Sequence, residues 1–117
     1  MAEESTAQAT IEDFDRLDMR AGTVVRCEPF PEARVPAYRL WINLGEGIGL
    51  KRSSARITDL YRPEDLVGRQ VVAVVNFPPR RVGPFVSEVL TLGLYTDDHT
   101  VVLVLPERTV PDGSRLG

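Results

Sequence analysis

Histidine, cysteine and lysine are nearly missing from this chain. His99, Cys27 and Lys51 are each the single residue of their type among 117. One cysteine excludes an internal disulfide. One histidine and one cysteine, far apart in sequence, leave no zinc-ligand spacing, and no Ser/His/Asp order or nucleophile elbow is present. The glycine-rich Gly45-Glu46-Gly47-Ile48-Gly49 lacks the Lys-Ser/Thr pair of a phosphate loop and reads as a hairpin turn. The expectation is a non-enzymatic chain with no catalytic residues, no metal and no cofactor. Long apolar runs are also missing. The longest, Val71–Val75 and Val101–Leu105, fall far short of the ~20 residues that cross a bilayer. The opening MAEESTAQAT is polar and acidic, unlike a signal peptide. A cytoplasmic protein without membrane insertion is expected.

Scarce lysine does not mean scarce positive charge. Of 14 basic residues all but Lys51 are arginine, and the net charge is −3. Its distribution is uneven. Residues 1–19 hold six acids and one base, residues 20–81 eleven bases and six acids, and residues 82–117 two bases and five acids. The positive charge therefore gathers in the middle of the chain. Arginine suits phosphate recognition and stacking, although acidic ends flanking an ordinary mixed surface give the same profile.

The length fits one domain. Residues 1–10 show no apolar periodicity and read as a flexible tail, with residues 11–117 as the folded domain. Thr10 is placed to cap a helix over Ile11–Leu17, whose first-turn acids favour the helix dipole. Asp18–Arg26 reads as a first strand, with Met19, Ala21, Thr23 and Val25 on one face. Three prolines make Glu28–Pro36 a loop. Tyr38–Leu44 and Ile48–Ser53 follow as strands two and three, with Ile48 and Leu50 inward and Lys51 and Ser53 outward. Ser54–Tyr61 is helix-compatible with Ser54 as its cap, and Pro63–Gly68 reads as a turn. Strands four and five are Val71–Val75 and Ser87–Leu94. Thr100–Leu105 is a sixth strand, and the tail after Pro106 is extended. Three strands, a short helix and two more strands is the order of an all-β OB-fold barrel of five strands. An extra C-terminal strand and a short N-terminal helix are added to it. The interior is expected to hold Leu40, Ile42, Leu50, Val72, Val74, Leu90 and Leu92.

The chain turns on Val71–Gly93, VVAVVNFPPRRVGPFVSEVLTLG. Its β-branched start matches a strand buried on both faces. Pro78 and Pro79 then end that strand, because they cannot donate ladder hydrogen bonds. Arg80 and Arg81 follow on a loop stiffened by Pro78, Pro79 and Pro84.

NFPPRR followed by FVSEVLTLG resembles the signature of the tRNA-binding OB-fold family. That family contains free-standing tRNA-binding proteins and domains appended to methionyl- and phenylalanyl-tRNA synthetases. DFDRLDMRAGTVVRCEPFPEARVPAYRL, KRSSARIT, YRPEDLVGRQVVAVVNFPPRR and PDGSRLG fall in the family's order, covering about residues 13–117. The proline-rich first loop resembles the small bacterial branch described as a protein-export chaperone, rather than the synthetase-linked members.

An OB fold binds on strands two and three, between the loops joining strands 1–2 and 4–5. That maps a candidate RNA- or peptide-binding set onto Arg34, Arg39, Trp41, Lys51, Ser53, Asn76, Phe77, Arg80 and Arg81. Ser87 and Glu88 join it through the family signature. Trp41 and Phe77 also read as packing residues, and Asn76 as a group satisfying backbone where its strand ends. The resemblance implies tRNA and unfolded or secretory polypeptides as partners. The alternative is a dedicated polypeptide-binding secretion chaperone with little or no tRNA binding. A homodimer is expected, because Val71–Val75 and Val101–Leu105 are apolar on both faces and a small barrel buries one.

Overall fold

The computed structural model describes residues 7–117. Residues 1–6 of the expected tail lie outside the described residues. Thr10 opens α1 (Ile11–Asp15) with a reciprocal cap: its Oγ1 accepts from the Asp13 amide at 3.2 Å, and Asp13 Oδ2 accepts from the Thr10 amide at 2.9 Å. The helix is shorter than the expected Ile11–Leu17. Five antiparallel strands carry the fold, in the order β3 (Leu50–Ala55), β2 (Tyr38–Asn43), β1 (Met19–Pro29), β4 (Gln70–Val74) and β7 (Leu90–Thr91). The open side between β3 and β7 is drawn together by residues 87–89. The Glu88 and Val89 amides donate to the Arg52 carbonyl at 2.7 and 3.2 Å, and the Ser54 amide donates to Ser87 Oγ at 3.0 Å. The result is the expected OB-like barrel, nearly closed.

Three local features depart from simple alternation. The register between β1 and β2 shifts between Val24 and Arg26, so that Val24 faces Ile42, Arg26 faces Trp41 and Cys27 faces Leu40. This bulge leaves Val25 exposed and reverses the face on which the rest of β1 was expected to lie. β1 also runs on to Pro29, which shortens the first loop. Gly22 lets β2 cross closely: a Cβ there would meet Ile42 Cγ2 and Leu44 Cδ2, both at 2.7 Å.

β3 keeps the opposite parity from the expected one. Ser53 and Ala55 point into the barrel while Leu50 is 57% exposed. Register explains this: Ser53 lies opposite the fully buried Leu40, and Arg52 opposite Trp41. The helix expected at Ser54–Tyr61 is absent, since Ser54 and Ala55 belong to β3. It is replaced by α2 (Pro63–Leu66), where proline occupies the first turn and needs no amide partner.

β4 is buried on both faces, as its β-branched run predicts. Val71 and Ala73 enter the barrel with Val24, Leu40, Ile42, Leu44, Leu66 and Leu103. Val72 and Val74 face away, into a second cluster with Met19, Phe14, Leu17, Leu92 and Val104. The interior expectation therefore holds for Leu40 and Ile42 and fails for Val72, Val74 and Leu92, which pack outside. Leu50 and Leu90 are exposed. The chain's own α1 region covers the outer face of β4, so that face no longer argues for a second copy.

Strand five is broken into pieces. β5 (Arg80–Val82) and β6 (Phe85–Ser87) form a separate two-stranded ribbon, and β8 (Gly93–Tyr95) pairs with β9 (Val101–Leu103) in another. The arginine pair thus stands on a paired hairpin strand rather than a loop. The C-terminal segment returns to β1: the Ala21 amide donates to Ser114 O at 2.9 Å and the Leu116 amide to Met19 O at 2.8 Å. Gly45 and Gly113 permit the crossing, since a Cβ on Gly45 would collide with Asp112 O.

Candidate nucleic-acid interface

Two surfaces carry the central arginines, and they differ in how the charge is held. The first is the outer face of β1–β3. Phe30 and Phe85 are buried here and meet edge to face at 5.5 Å, with Trp41 against Phe85 at 5.9 Å. Each ring has a guanidinium over it: Arg26 over Trp41 at 4.4 Å, Arg39 over Phe30 at 5.4 Å and Arg52 over Phe85 at 5.6 Å. Acids balance these arginines. Glu28 accepts from Arg26 Nε at 2.6 Å and from Arg39 at 3.2 Å, and Glu88 accepts from Arg52 Nε at 3.3 Å. The face expected to bind ligand is therefore largely occupied by its own stacking and ion pairs.

The second surface is a groove of about 690 Å³ beside that face. The first loop, the end of β3, β5 and the β7–β9 region form its walls. Arg34, Arg56, Arg80 and Arg81 line it, and Glu32 is the one acid in its lining. Among the described residues none of these four arginines makes an ion pair. Guanidinium groups gathered on one side of a molecule, with no carboxylate to neutralise them, form an anion-attracting surface. The floor is aliphatic, with Ile57, Leu90, Leu92, Val101 and Leu103.

The expected residues divide accordingly. Arg34, Arg80 and Arg81 come together on the groove. Arg39 and Trp41 sit on the stacked face, with Glu88 as the partner of Arg52. Ser53 is fully buried and its Oγ accepts from Thr91 Oγ1 at 2.8 Å, so it is not offered to a ligand. Ser87 is buried as well, accepting from the Ser54 amide at the barrel seam. Lys51 lies opposite Ile42, on the inward-facing register of β3. Asn76 takes the backbone role: its Oδ1 accepts from the Asp18 amide at 2.9 Å, and its Nδ2 donates to Arg16 O at 2.7 Å. Phe77 is partly exposed and lies outside the groove lining. Arg56 is absent from the expected set. Arg52, Ser54 and Arg56 alternate in sequence, which places Arg56 in line once β3 is carried past Ser53.

The groups whose titration is shifted lie outside the groove lining, Asp18 and Cys27 among them. Arg20, hydrogen-bonded at 2.6 Å, holds the Asp18 carboxyl below its usual range, with Arg115 adding to the effect. Burial pushes the Cys27 thiol up to about 11, with Glu28 and Glu64 contributing. Such a thiol is a poor nucleophile at neutral pH. Among the described residues no three His, Cys, Asp or Glu side chains gather as a metal site, and no helix is long and apolar enough to cross a membrane.

Residues 19–115 match the family described as "Putative tRNA binding domain". The chain belongs to that family. Among solved structures it is similar to chaperone CsaA of Bacillus anthracis. The two are 54% identical with a TM-score of 0.90, over 95% of this chain and all of the other. It is also similar to the CsaA chaperone protein of Picrophilus torridus, at 42% identity and a TM-score of 0.88 over 94% of this chain and 100% of that one. The small bacterial branch expected from the proline-rich loop is thus matched at full length. The methionine–tRNA ligase of Bacteroides fragilis is 34% identical over 110 residues, 94% of this chain but only 16% of the ligase. Family membership accordingly concerns a binding domain, and the ligase's activity lies with the rest of that enzyme.

Proposed function

We propose that this is a non-enzymatic, cytoplasmic, CsaA-like protein that binds tRNA through the groove ringed by Arg34, Arg56, Arg80 and Arg81. The observation that carries this reading is the absence of acidic partners for those four arginines among the described residues, in a domain of the tRNA-binding family. Phosphates supply the missing negative charge and release bound counterions, so affinity depends steeply on salt. Phosphate contacts carry no sequence information, which suits recognition of RNA by its shape and backbone. Titrating labelled tRNA at several salt concentrations tests the reading. Binding that ignores salt, or that survives replacement of the four arginines by alanine, rejects it.

A second reading is favoured by the aliphatic floor of the same groove and by the name chaperone carried by both CsaA neighbours. In it the protein holds unfolded or secretory polypeptides during export. We further propose that it acts as a homodimer. Support comes from the β8–β9 ribbon, where the paired Leu94 and Val102 share one face and are 62% and 39% exposed. An apolar patch of that kind on a small protein marks an association surface. Two copies would set two arginine grooves on one particle and raise avidity for a large RNA.

A further inference from the structure

We propose that the groove floor takes an extended polypeptide segment of interspersed aliphatic and acidic side chains, and that this segment and RNA exclude one another. The inference deepens the polypeptide reading and rests on the RNA reading only for the exclusion.

The floor decides the chemistry of the occupant. Single-stranded RNA is held in grooves by aromatic rings on which bases stack. The one aromatic side chain in this lining is Tyr95, and it stands at 84% exposure. The neighbouring rings do not serve it: Phe30 and Phe85 are buried, Trp41 lies beneath Arg26, and the exposed Phe77 stands outside the lining. What the floor offers is Leu90, Leu92 and Val101, backed by the buried Ile57 and Leu103, a surface that prefers other aliphatic groups. Leu90 is 46% exposed there. At about 690 Å³ the groove lies within the range of about 300–1,000 Å³ common for ligand clefts.

The rim decides the charge. Four arginines against Glu32 repel a basic segment and attract an acidic one. An extended chain sends alternate side chains to opposite sides. Aliphatic residues can thus meet the floor while acidic residues meet guanidinium groups at the rim. RNA needs those same guanidinium groups for its phosphates, so one ligand displaces the other.

Fluorescence anisotropy on the full chain tests this with three labelled twelve-residue peptides and labelled tRNA. The peptides alternate Leu with Glu, Leu with Lys, and Ser with Glu. The Leu/Glu peptide is expected to bind at least about ten-fold tighter than either control, and unlabelled tRNA is expected to displace it. Leu90→Ser, at an exposed position, is expected to weaken the Leu/Glu peptide by about five-fold and to weaken tRNA by less. Val101→Thr serves as the second variant if Leu90→Ser melts early. Arg56→Ala is expected to weaken both ligands. Equal binding of the Leu/Lys or Ser/Glu peptide overturns the assignment of the floor and rim. Simultaneous binding of the Leu/Glu peptide and tRNA overturns the exclusion. If tRNA binds and responds to the arginines while the Leu/Glu peptide does not bind, this inference falls and the RNA reading stands. If the Leu/Glu peptide binds selectively and tRNA does not bind, the RNA reading and the exclusion fall, and the assignment of the floor is supported.

Discussion

Glu88 is joined to Arg52 by main chain and side chain at once. The Glu88 amide donates to the Arg52 carbonyl at 2.7 Å, and Glu88 Oε1 accepts from the Arg52 amide at 3.0 Å and from its Nε at 3.3 Å. One residue therefore bridges the gap between β3 and β7 and also holds Arg52 over Phe85. Glu88→Ala removes the side-chain half of that bridge and frees Arg52. The expected cost is about 1–3 kcal/mol, the range for removing a partly buried charged acceptor, read as a lower urea midpoint. A midpoint equal to wild type would show that the seam closes without this side chain.

The two parities on neighbouring strands separate just as clearly. Leu40→Ala, deep in the barrel, should cost about 2–5 kcal/mol. Leu50→Ala, on an exposed position of β3, should fall within about 0.5 kcal/mol of wild type. Equilibrium unfolding of the two variants side by side checks the assignment, and comparable destabilisation would contradict the register of β3.

Arg80→Ala with Arg81→Ala should leave the melting temperature unchanged, because neither arginine has an acidic partner among the described residues. Affinity for tRNA should drop, and the salt slope should flatten by about 0.7–0.9 for each phosphate that is no longer neutralised. Arg26→Ala and Arg39→Ala should do the reverse, lowering stability more than affinity, because those arginines are engaged with Trp41, Phe30 and Glu28. An unchanged slope in the first pair removes β5 from the RNA site.

Acid acts on the C-terminal segment. The Asp18 carboxyl titrates below its ordinary value of 3.8 in the folded state because Arg20 and Arg115 stand beside it. A depressed carboxyl stabilises the fold above its unfolded pKa, and that contribution is lost as pH falls through the folded one. The stability gap between wild type and Asp18→Asn should therefore be full at about pH 6 and shrink below about pH 4. A gap that stays constant down to about pH 2 would show that the carboxylate charge is irrelevant there.

Light scattering at micromolar concentration tests the homodimer. The expected mass is twice 13.0 kDa, falling toward 13.0 kDa in Leu94→Arg. A wild-type mass of 13.0 kDa would reject the assembly and leave the β8–β9 face to another partner.

Much of the barrel is legible in the residues themselves. Leu40, Ile42 and Leu44 alternate in a strand with buried partners, and Thr10 announces α1 through its cap. The misplacements share one cause: alternation gives the spacing of faces, but only pairing decides which face is inside. The bulge between Val24 and Arg26 shifts β1 by one residue, and β3 takes its parity from β2 through Leu40 and Ser53. Both faces of β4 are apolar, so nothing local distinguishes Val71 from Val72. In the candidate site, Arg34, Arg80 and Arg81 are legible as bases beside prolines, though Arg80 and Arg81 stand on β5 rather than on the expected loop. The neutralisation of Arg39 and Arg52 is not, because their carboxylates come from Glu28 and Glu88, on other segments of the chain.

The return of the C-terminal segment to β1 bears on the timing of folding. Met19 and Ala21 find hydrogen-bond partners in Leu116 and Ser114, more than ninety residues further along the chain. A nascent chain can lay down β1, β2 and β3 as neighbours soon after each is made, but the edge of β1 at Met19–Ala21 stays open until residues 114–116 emerge. During synthesis that edge is a strand without a partner, the kind of surface that pairs with whatever extended segment is near. A binding protein of this design therefore spends its own synthesis exposed to the same hazard that an unfolded polypeptide faces.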